Sequence, residues 1–185
     1  MSIKIYLASK SPRRQELLGL MGFTYQLLLK DVDESYPEYL KLMDVAAYIS
    51  EAKADAFDAP TDGILITADT VVILGDELLG KPLDAEDAFA MLKKLNNQTH
   101  TVVTGVTLKS AAKVFTFSEE TNVTFSNLTN EQLWHYINNF QPFDKAGSYG
   151  IQDWIGMVGV KSISGSYTNV MGLPTERLYK EIGNF

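Results

Sequence analysis

The sequence contains no cysteine, which removes disulfides, thiolate nucleophiles and thiolate metal sites from consideration. A reducing compartment is compatible with that absence, and the cytoplasm is the expected location. Histidine is nearly as scarce, two in 185 residues, so a histidine-built metal site is a poor expectation. No apolar run reaches the length of a membrane span, and the stretch Met1 to Ala8 is too short to read as a signal peptide. The net charge of -7 argues against a broad surface for nucleic acid or anionic membrane. A small anionic ligand stays open, because a pocket answers to its own few charges. The sequence also lacks a GxxxxGK[ST] loop, a dinucleotide-binding fingerprint and a GxSxG elbow, which argues against a P-loop enzyme, a Rossmann dehydrogenase and an α/β-hydrolase.

What is present is an ordinary globular composition, 45% hydrophobic and 21% charged with both signs mixed, in a chain long enough to bury a core as one domain or as two modest lobes. The central stretch is Ile66 to Asp76, closed by Gly80-Lys81-Pro82. An apolar run from Ile64 to Ala68 reads as a buried strand that delivers Asp69 and Thr70 before a second β-branched run begins. Burying a carboxylate unpaired is costly. Asp69 therefore either bonds to a turn at a strand junction or belongs to a site.

Upstream, Ile3 to Ala8 reads as the opening strand, leading to Ser9, Lys10 and Ser11. Ser11 is a good N-cap and Pro12 fits the first helical position. Leu17, Leu18, Leu20 and Met21 form the expected buried stripe, and Gly22 the stop. Arg13 and Arg14 fall in the first turn, where the helix dipole disfavours cations. With the free N-H groups and the hydroxyls of Ser9 and Ser11 they read as a phosphate cradle, or else as solvated side chains. Phe23 to Leu29 predicts a second strand. The carboxylates Asp31, Asp33 and Glu34 then suit either a solvated loop or oxygen ligands for a hard cation. A helix capped by Asp44 carries Val45, Ala46, Ile49, Ala52 and Ala56 inward, and Lys53 either runs out along that stripe or reaches a pocket at the helix edge.

Downstream, Val71 to Leu79 predicts a hairpin, and Asp84 with Asp87 a capping pair for a helix ending at Asn96. His100 to Lys109 is β-rich, with Gly105 marking a bend or a close backbone approach. Val114 to Phe125 allows one or two strands. Thr129 and Gln132 form a capping box with Leu128 and Leu133 as its staple. Phe143 to Trp154 fits neither a helix nor a strand; its glycines permit tight backbone near a ligand, with Asp144, Lys145 and Gln152 as polar groups. Gly159 to Gly172 reads as another β-rich run, and Pro174 opens a last helix. Seven to nine strands among five helices is a mixed α/β pattern. Cations at a helix start and at glycine turns, beside carboxylates that would repel phosphate without a divalent cation between them, suggest metal-assisted phosphoanhydride chemistry.

Six spaced motifs, LASKSPRRQELL, ADTVV, GKP, HTVVTGV, DKAGSYGIQ and GSYTNVMGLP, together resemble the Maf family of nucleotide pyrophosphatases from the first strand to the last helix. The resemblance implies one Maf-like domain over residues 1-185. It implies a two-lobed mixed α/β fold, a twisted sheet with flanking helices related to the inosine-triphosphate pyrophosphatases, with the active-site cleft between the lobes. It also implies a cytoplasmic homodimer that splits a nucleoside triphosphate between its α and β phosphates with a divalent cation, Mg²⁺ or Mn²⁺. Asp69 matches the catalytic carboxylate and a metal ligand, and Glu34 the second acidic position. Arg13, Lys53 and Lys81 match the basic groups around the triphosphate, while Arg13, Thr70 and Gln152 fall where base selection occurs. The YGIQ form resembles the branch that prefers dTTP and UTP, and a neutral glutamine can both donate to a pyrimidine carbonyl and accept from its N3-H. Asp153-Trp154 departs from the glycine-rich continuation of that branch. The competing expectation is a nucleotide-binding regulator of cell division without turnover.

Overall fold

The structure, a computed structural model, describes residues 3–185. Seven strands and seven α-helices follow one another along the described chain: β1 (Lys4–Leu7), α1 (Pro12–Leu20), β2 (Tyr25–Leu27), α2 (Leu42–Asp55), β3 (Gly63–Leu74), β4 (Glu77–Leu79), α3 (Ala85–Leu95), β5 (Thr99–Lys109), β6 (Val114–Phe125), α4 (Asn130–Phe140), α5 (Trp154–Gly159), β7 (Val160–Ser164), α6 (Tyr167–Met171) and α7 (Thr175–Asn184). The strands form one mixed sheet in the order β2-β1-β3-β5-β6-β7, with β4 paired to β3. β1 runs parallel to β2 and β3, and β4 and β7 run antiparallel to β3 and β6. This is the mixed α/β class that the interleaved periodicities imply.

The chain divides into two compact units. Unit one holds Met1–Thr70, Thr104–Glu119 and Gly172–Phe185; unit two holds Val71–Val103 and Glu120–Met171. In unit one, Leu65 and Ile66 of β3 and Leu7 of β1 are fully buried, as are Val45 and Ala46 of α2 and Leu108 of β5. The core of unit two gathers Leu92 and Leu95 of α3, Leu133, Tyr136 and Ile137 of α4, and Phe125 of β6.

Local chemistry sets most helix ends. Ser11 caps α1 by accepting from the Arg14 N-H, with Pro12 in the first turn. Gly22 closes that helix with paired bonds, Gly22 N-H to Gly19 O and Phe23 N-H to Leu18 O. Asp84 caps α3 through the Asp87 N-H, and Thr129 with Gln132 completes both halves of the α4 capping box. Gly105 marks a close approach: a Cβ there would stand 2.3 Å from backbone atoms of Ala46 and Ala47, so α2 lies directly against β5.

Several expectations change. β3 is one continuous twelve-residue strand, so Asp69 and Thr70 lie inside it and not at a junction of two strands; backbone pairing carries the strand through two polar residues. α2 begins at Leu42, with Asp44 in its first turn and Lys41 at the N-cap without a side-chain bond, because a carboxylate suits the first turn of a helix as well as its cap. β2 is limited to Tyr25–Leu27. Leu20 is 77% exposed and outside the buried stripe. Of the one or two strands that Val114 to Phe125 allows, the structure has one. The run from Gly159 to Gly172 splits into β7 and the short helix α6, and α5, which the sequence did not suggest, precedes it.

Candidate active site

In unit one, α2 and β3 meet in a register fixed by hydroxyls. Thr67 Oγ1 donates to the Ser50 carbonyl at 2.6 Å, and Ser50 Oγ meets Thr107 Oγ1 of β5 at 2.8 Å. All three residues are fully buried, where an unmade hydrogen bond is costly, so the helix cannot slide without breaking them. Lys53 lies one helical turn beyond Ser50 and Asp69 two residues beyond Thr67, each on the same face as its neighbour. The register therefore delivers Lys53 Nζ to Asp69 Oδ1 at 2.7 Å. Glu34, from the loop after β2, reaches the same ammonium at 2.8 Å. Lys53 does not run out into solvent: its side chain is 14% exposed and its ammonium is paired with both carboxylates.

Thr70 points to the other face of β3, as strand alternation requires. Its hydroxyl accepts from Arg14 Nη2 at 2.9 Å and meets Thr104 Oγ1 at 2.9 Å, while Arg14 Nε donates to the Gly172 carbonyl at 2.7 Å. Desolvation pushes the Arg14 pKa below the usual arginine value, opposed by the Asp69 and Glu34 carboxylates. The guanidinium thus ties α1 to β3 and to the start of the C-terminal segment. Ser9 is buried, and its Oγ accepts from the Ser11 N-H, while Ser11 Oγ serves the α1 cap. Arg13 stands half-buried in the first turn of α1.

In unit two, the turn after β4 presents Lys81 to solvent. Its neighbour Gly80 accepts from the Gly147 N-H at 3.0 Å, which brings the Lys81 turn against the segment carrying Lys145. Lys145 Nζ lies 2.8 Å from Asp144 Oδ1 and 3.9 Å from Asp153 Oδ2. The Tyr136 hydroxyl donates to Asp153 Oδ2 at 2.7 Å and accepts from the Gly150 N-H at 3.0 Å. Gln152 Oε1 is buried and has no hydrogen-bond partner among the described residues. His100 Nε2 and the Tyr149 hydroxyl lie 2.7 Å apart beneath this segment, with Phe125 edge-on to both rings. Burial holds the His100 pKa down at about 4 and pushes that of Tyr149 up.

The structure thus brings Asp69, Glu34 and Lys53 together in unit one, with Arg14 and Thr70 as a second group, and it sets Lys81 and Lys145 on adjoining turns of unit two. Thr104, Tyr136 and Asp153 were not singled out as site residues. Thr104 lies within the HTVVTGV motif, and Asp153 follows directly on Gln152. Tyr136 carried the one available signal, a phenol on the apolar face of a helix, which needs a partner when buried. Among the described residues no three His, Cys, Asp or Glu side chains cluster as a metal site. Asp69 and Glu34 still fit a hard divalent cation by donor type, since two carboxylates with substrate phosphates are a common Mg²⁺ arrangement.

Known proteins resemble this chain in sequence and in fold. A dTTP/UTP pyrophosphatase of Flavobacterium psychrophilum is 49% identical over 178 residues, which cover 95% of this chain and 91% of that protein. A dTTP/UTP pyrophosphatase of Phocaeicola vulgatus is 49% identical over 182 residues, covering 97% and 94%. The structure of the Staphylococcus aureus Ham1 protein superposes with a TM-score of 0.52 over 96% of this chain and 99% of its own; at 16% identity the likeness is one of fold. The family described as Maf-like protein matches residues 4–185, nearly the whole chain, and with the two relatives it establishes that this protein belongs to the Maf family.

Proposed function

We propose that this protein is a nucleoside triphosphate pyrophosphatase that hydrolyses dTTP and UTP between the α and β phosphates, giving the monophosphate and pyrophosphate. One observation carries the reading: Asp69 and Glu34 converge on the Lys53 ammonium at 2.7 and 2.8 Å, in a chain whose relatives bear that activity in their names. Binding polyphosphate does not by itself require a carboxylate paired to a lysine, whereas deprotonating the attacking water calls for one.

Asp69 accepts the proton of the attacking water, and Lys53 holds that carboxylate in place and then faces the phosphoryl oxygens as charge develops on them. Lys81, Arg13 and Lys145 neutralise the remaining phosphates, and Ser9, Ser11 and Arg14 shape the first turn of α1 for that anion. A divalent cation, Mg²⁺ or Mn²⁺, held by Asp69 and Glu34 supplies neutralisation of the triphosphate when bound. Thr70 and Gln152 select the base, and the unpartnered Gln152 oxygen supports that role. Residues 1-185 act as one domain. The absence of cysteine supports a cytoplasmic location, and the family resemblance supports a homodimer, which sedimentation equilibrium would test.

The test is pyrophosphate release from dTTP, UTP, CTP, 7-methyl-GTP and ITP with Mg²⁺ or Mn²⁺, repeated with a chelator. Release from dTTP and UTP that the chelator stops is expected, with a loss of about 10²–10⁴-fold in Asp69→Asn. Nucleotide binding without release from any of the five would point instead to the regulatory role.

A further inference from the structure

Tyr136 and Asp153 have no place in the chemistry above, yet their hydrogen bond ties down the segment that carries Gln152. The Tyr136 hydroxyl donates to the Asp153 carboxylate and accepts from the Gly150 N-H. Gly150 stands two residues before Gln152 and Asp153 one residue after it, so one phenol oxygen is tied to the backbone on one side of Gln152 and to a side-chain carboxylate on the other. Tyr136 itself is fully buried in the core of unit two, where close packing leaves its ring no room to shift. Gly150 is required for the arrangement, because a Cβ there would meet Asp153 Oδ2 at 2.5 Å. Between the two fastened points lies the buried, unpartnered Gln152 Oε1, an acceptor that the described residues leave for a ligand to satisfy.

A uracil or thymine ring presents an N3-H flanked by two carbonyls, and a carboxamide in the right place accepts from the first and donates to one of the others. Cytosine has no N3-H. We propose that Tyr136 and Asp153 are positioning residues for base selection: by fixing Gly150 and Asp153 they hold the Gln152 carboxamide against the N3-H edge of the pyrimidine. The inference rests on the reading of Gln152 as the residue that selects the base, and it uses two residues that no motif of the sequence placed in the site. It also gives Asp153, a departure from the usual continuation of this motif, a physical task.

The test compares wild type, Tyr136→Phe, Asp153→Ala and Asp153→Asn in two assays. The first is steady-state turnover of dTTP and dCTP; the second is calorimetric binding of α,β-imido dUTP and α,β-imido dCTP, which needs no turnover. Tyr136→Phe and Asp153→Ala are expected to raise KM for dTTP with little change in kcat, and to reduce the preference for dTTP over dCTP by about tenfold or more. Asp153→Ala, at a side chain 18% exposed, keeps the test informative if Tyr136→Phe fails to fold. Asp153→Asn keeps an acceptor for the phenol and is expected to retain the preference. An unchanged preference in both Tyr136→Phe and Asp153→Ala overturns the inference, as does a uniform fall in kcat for both nucleotides. Wild type that binds α,β-imido dUTP selectively but releases no pyrophosphate defeats the proposed reaction while the binding ratios still decide the inference. Wild type that shows no preference between the two bases overturns the inference directly.

Discussion

Lys53 is a cation claimed by two anions before any ligand arrives, and each of the three depends on the other two. Its side chain and that of Asp69 are 14% and 13% exposed, while Glu34 is 48% exposed, so Asp69 is the partner that suffers when the lysine is lost. Lys53→Met is expected to cost about 1–3 kcal/mol, below the 3–5 kcal/mol of a fully enclosed pair because Glu34 can turn to water. Added Mg²⁺ should restore part of that loss, since the same two carboxylates suit a divalent cation. Urea unfolding with and without Mg²⁺ measures both effects, and an undiminished midpoint in Lys53→Met without metal would show that the pair does not balance the site. The sequence left Lys53 between solvent and a pocket because a helical face gives direction but not distance. Only the Thr67–Ser50–Thr107 bonds determine which residue of β3 it meets.

Elements whose boundaries were set by local chemistry were legible. Ser11 with Pro12, Asp84 with Asp87, and Thr129 with Gln132 each announce a helix start through bonds that span three residues or fewer, and the structure has all three. Where the deciding force is pairing with a distant strand, the local sequence does not carry the boundary. β3 runs unbroken through Asp69 and Thr70 because β1 and β4 pair with it on either side of them, and the polar pair looked like a break only in isolation. α6 was hidden by its own composition, Tyr-Thr-Asn-Val-Met, which favours a strand on propensity alone. The contact of α2 with β5 was anticipated only as a close approach at Gly105. Gly105→Ala would place a methyl group 2.3 Å from the backbone of Ala46 and Ala47, where no flexible side chain can yield. A loss of about 3 kcal/mol or more is expected, with reduced turnover because α2 carries Lys53. A urea midpoint equal to that of wild type would mean that the helix stands further from the strand.

For the molecule as a whole, one buried imidazole makes its own contribution to the response to acid. His100 is 1% exposed, and burial lowers its pKa from 6.5 to about 4. The unfolded chain therefore takes up a proton as the pH falls below about 6.5, and the folded chain does not until about 4. Stability from this group is complete above the unfolded value and drains away toward the folded one, by roughly 3 kcal/mol in total. His100→Gln, which removes the titration, is expected to lose less stability between about pH 7.5 and 4.5 than wild type, by about 2–3 kcal/mol. Equal losses in urea unfolding at the two pH values would show that His100 does not govern the slope. The path of the chain between its two units has a different kind of consequence. Of the four crossings, Thr70 to Val71, Val103 to Thr104 and Glu119 to Glu120 each fall inside a strand. Exchanging one unit for its counterpart from a relative takes all four joints, and three strands would then each inherit one half from each parent. The two units therefore have to be inherited together, and a foreign half would bring mismatched register into three strands at once.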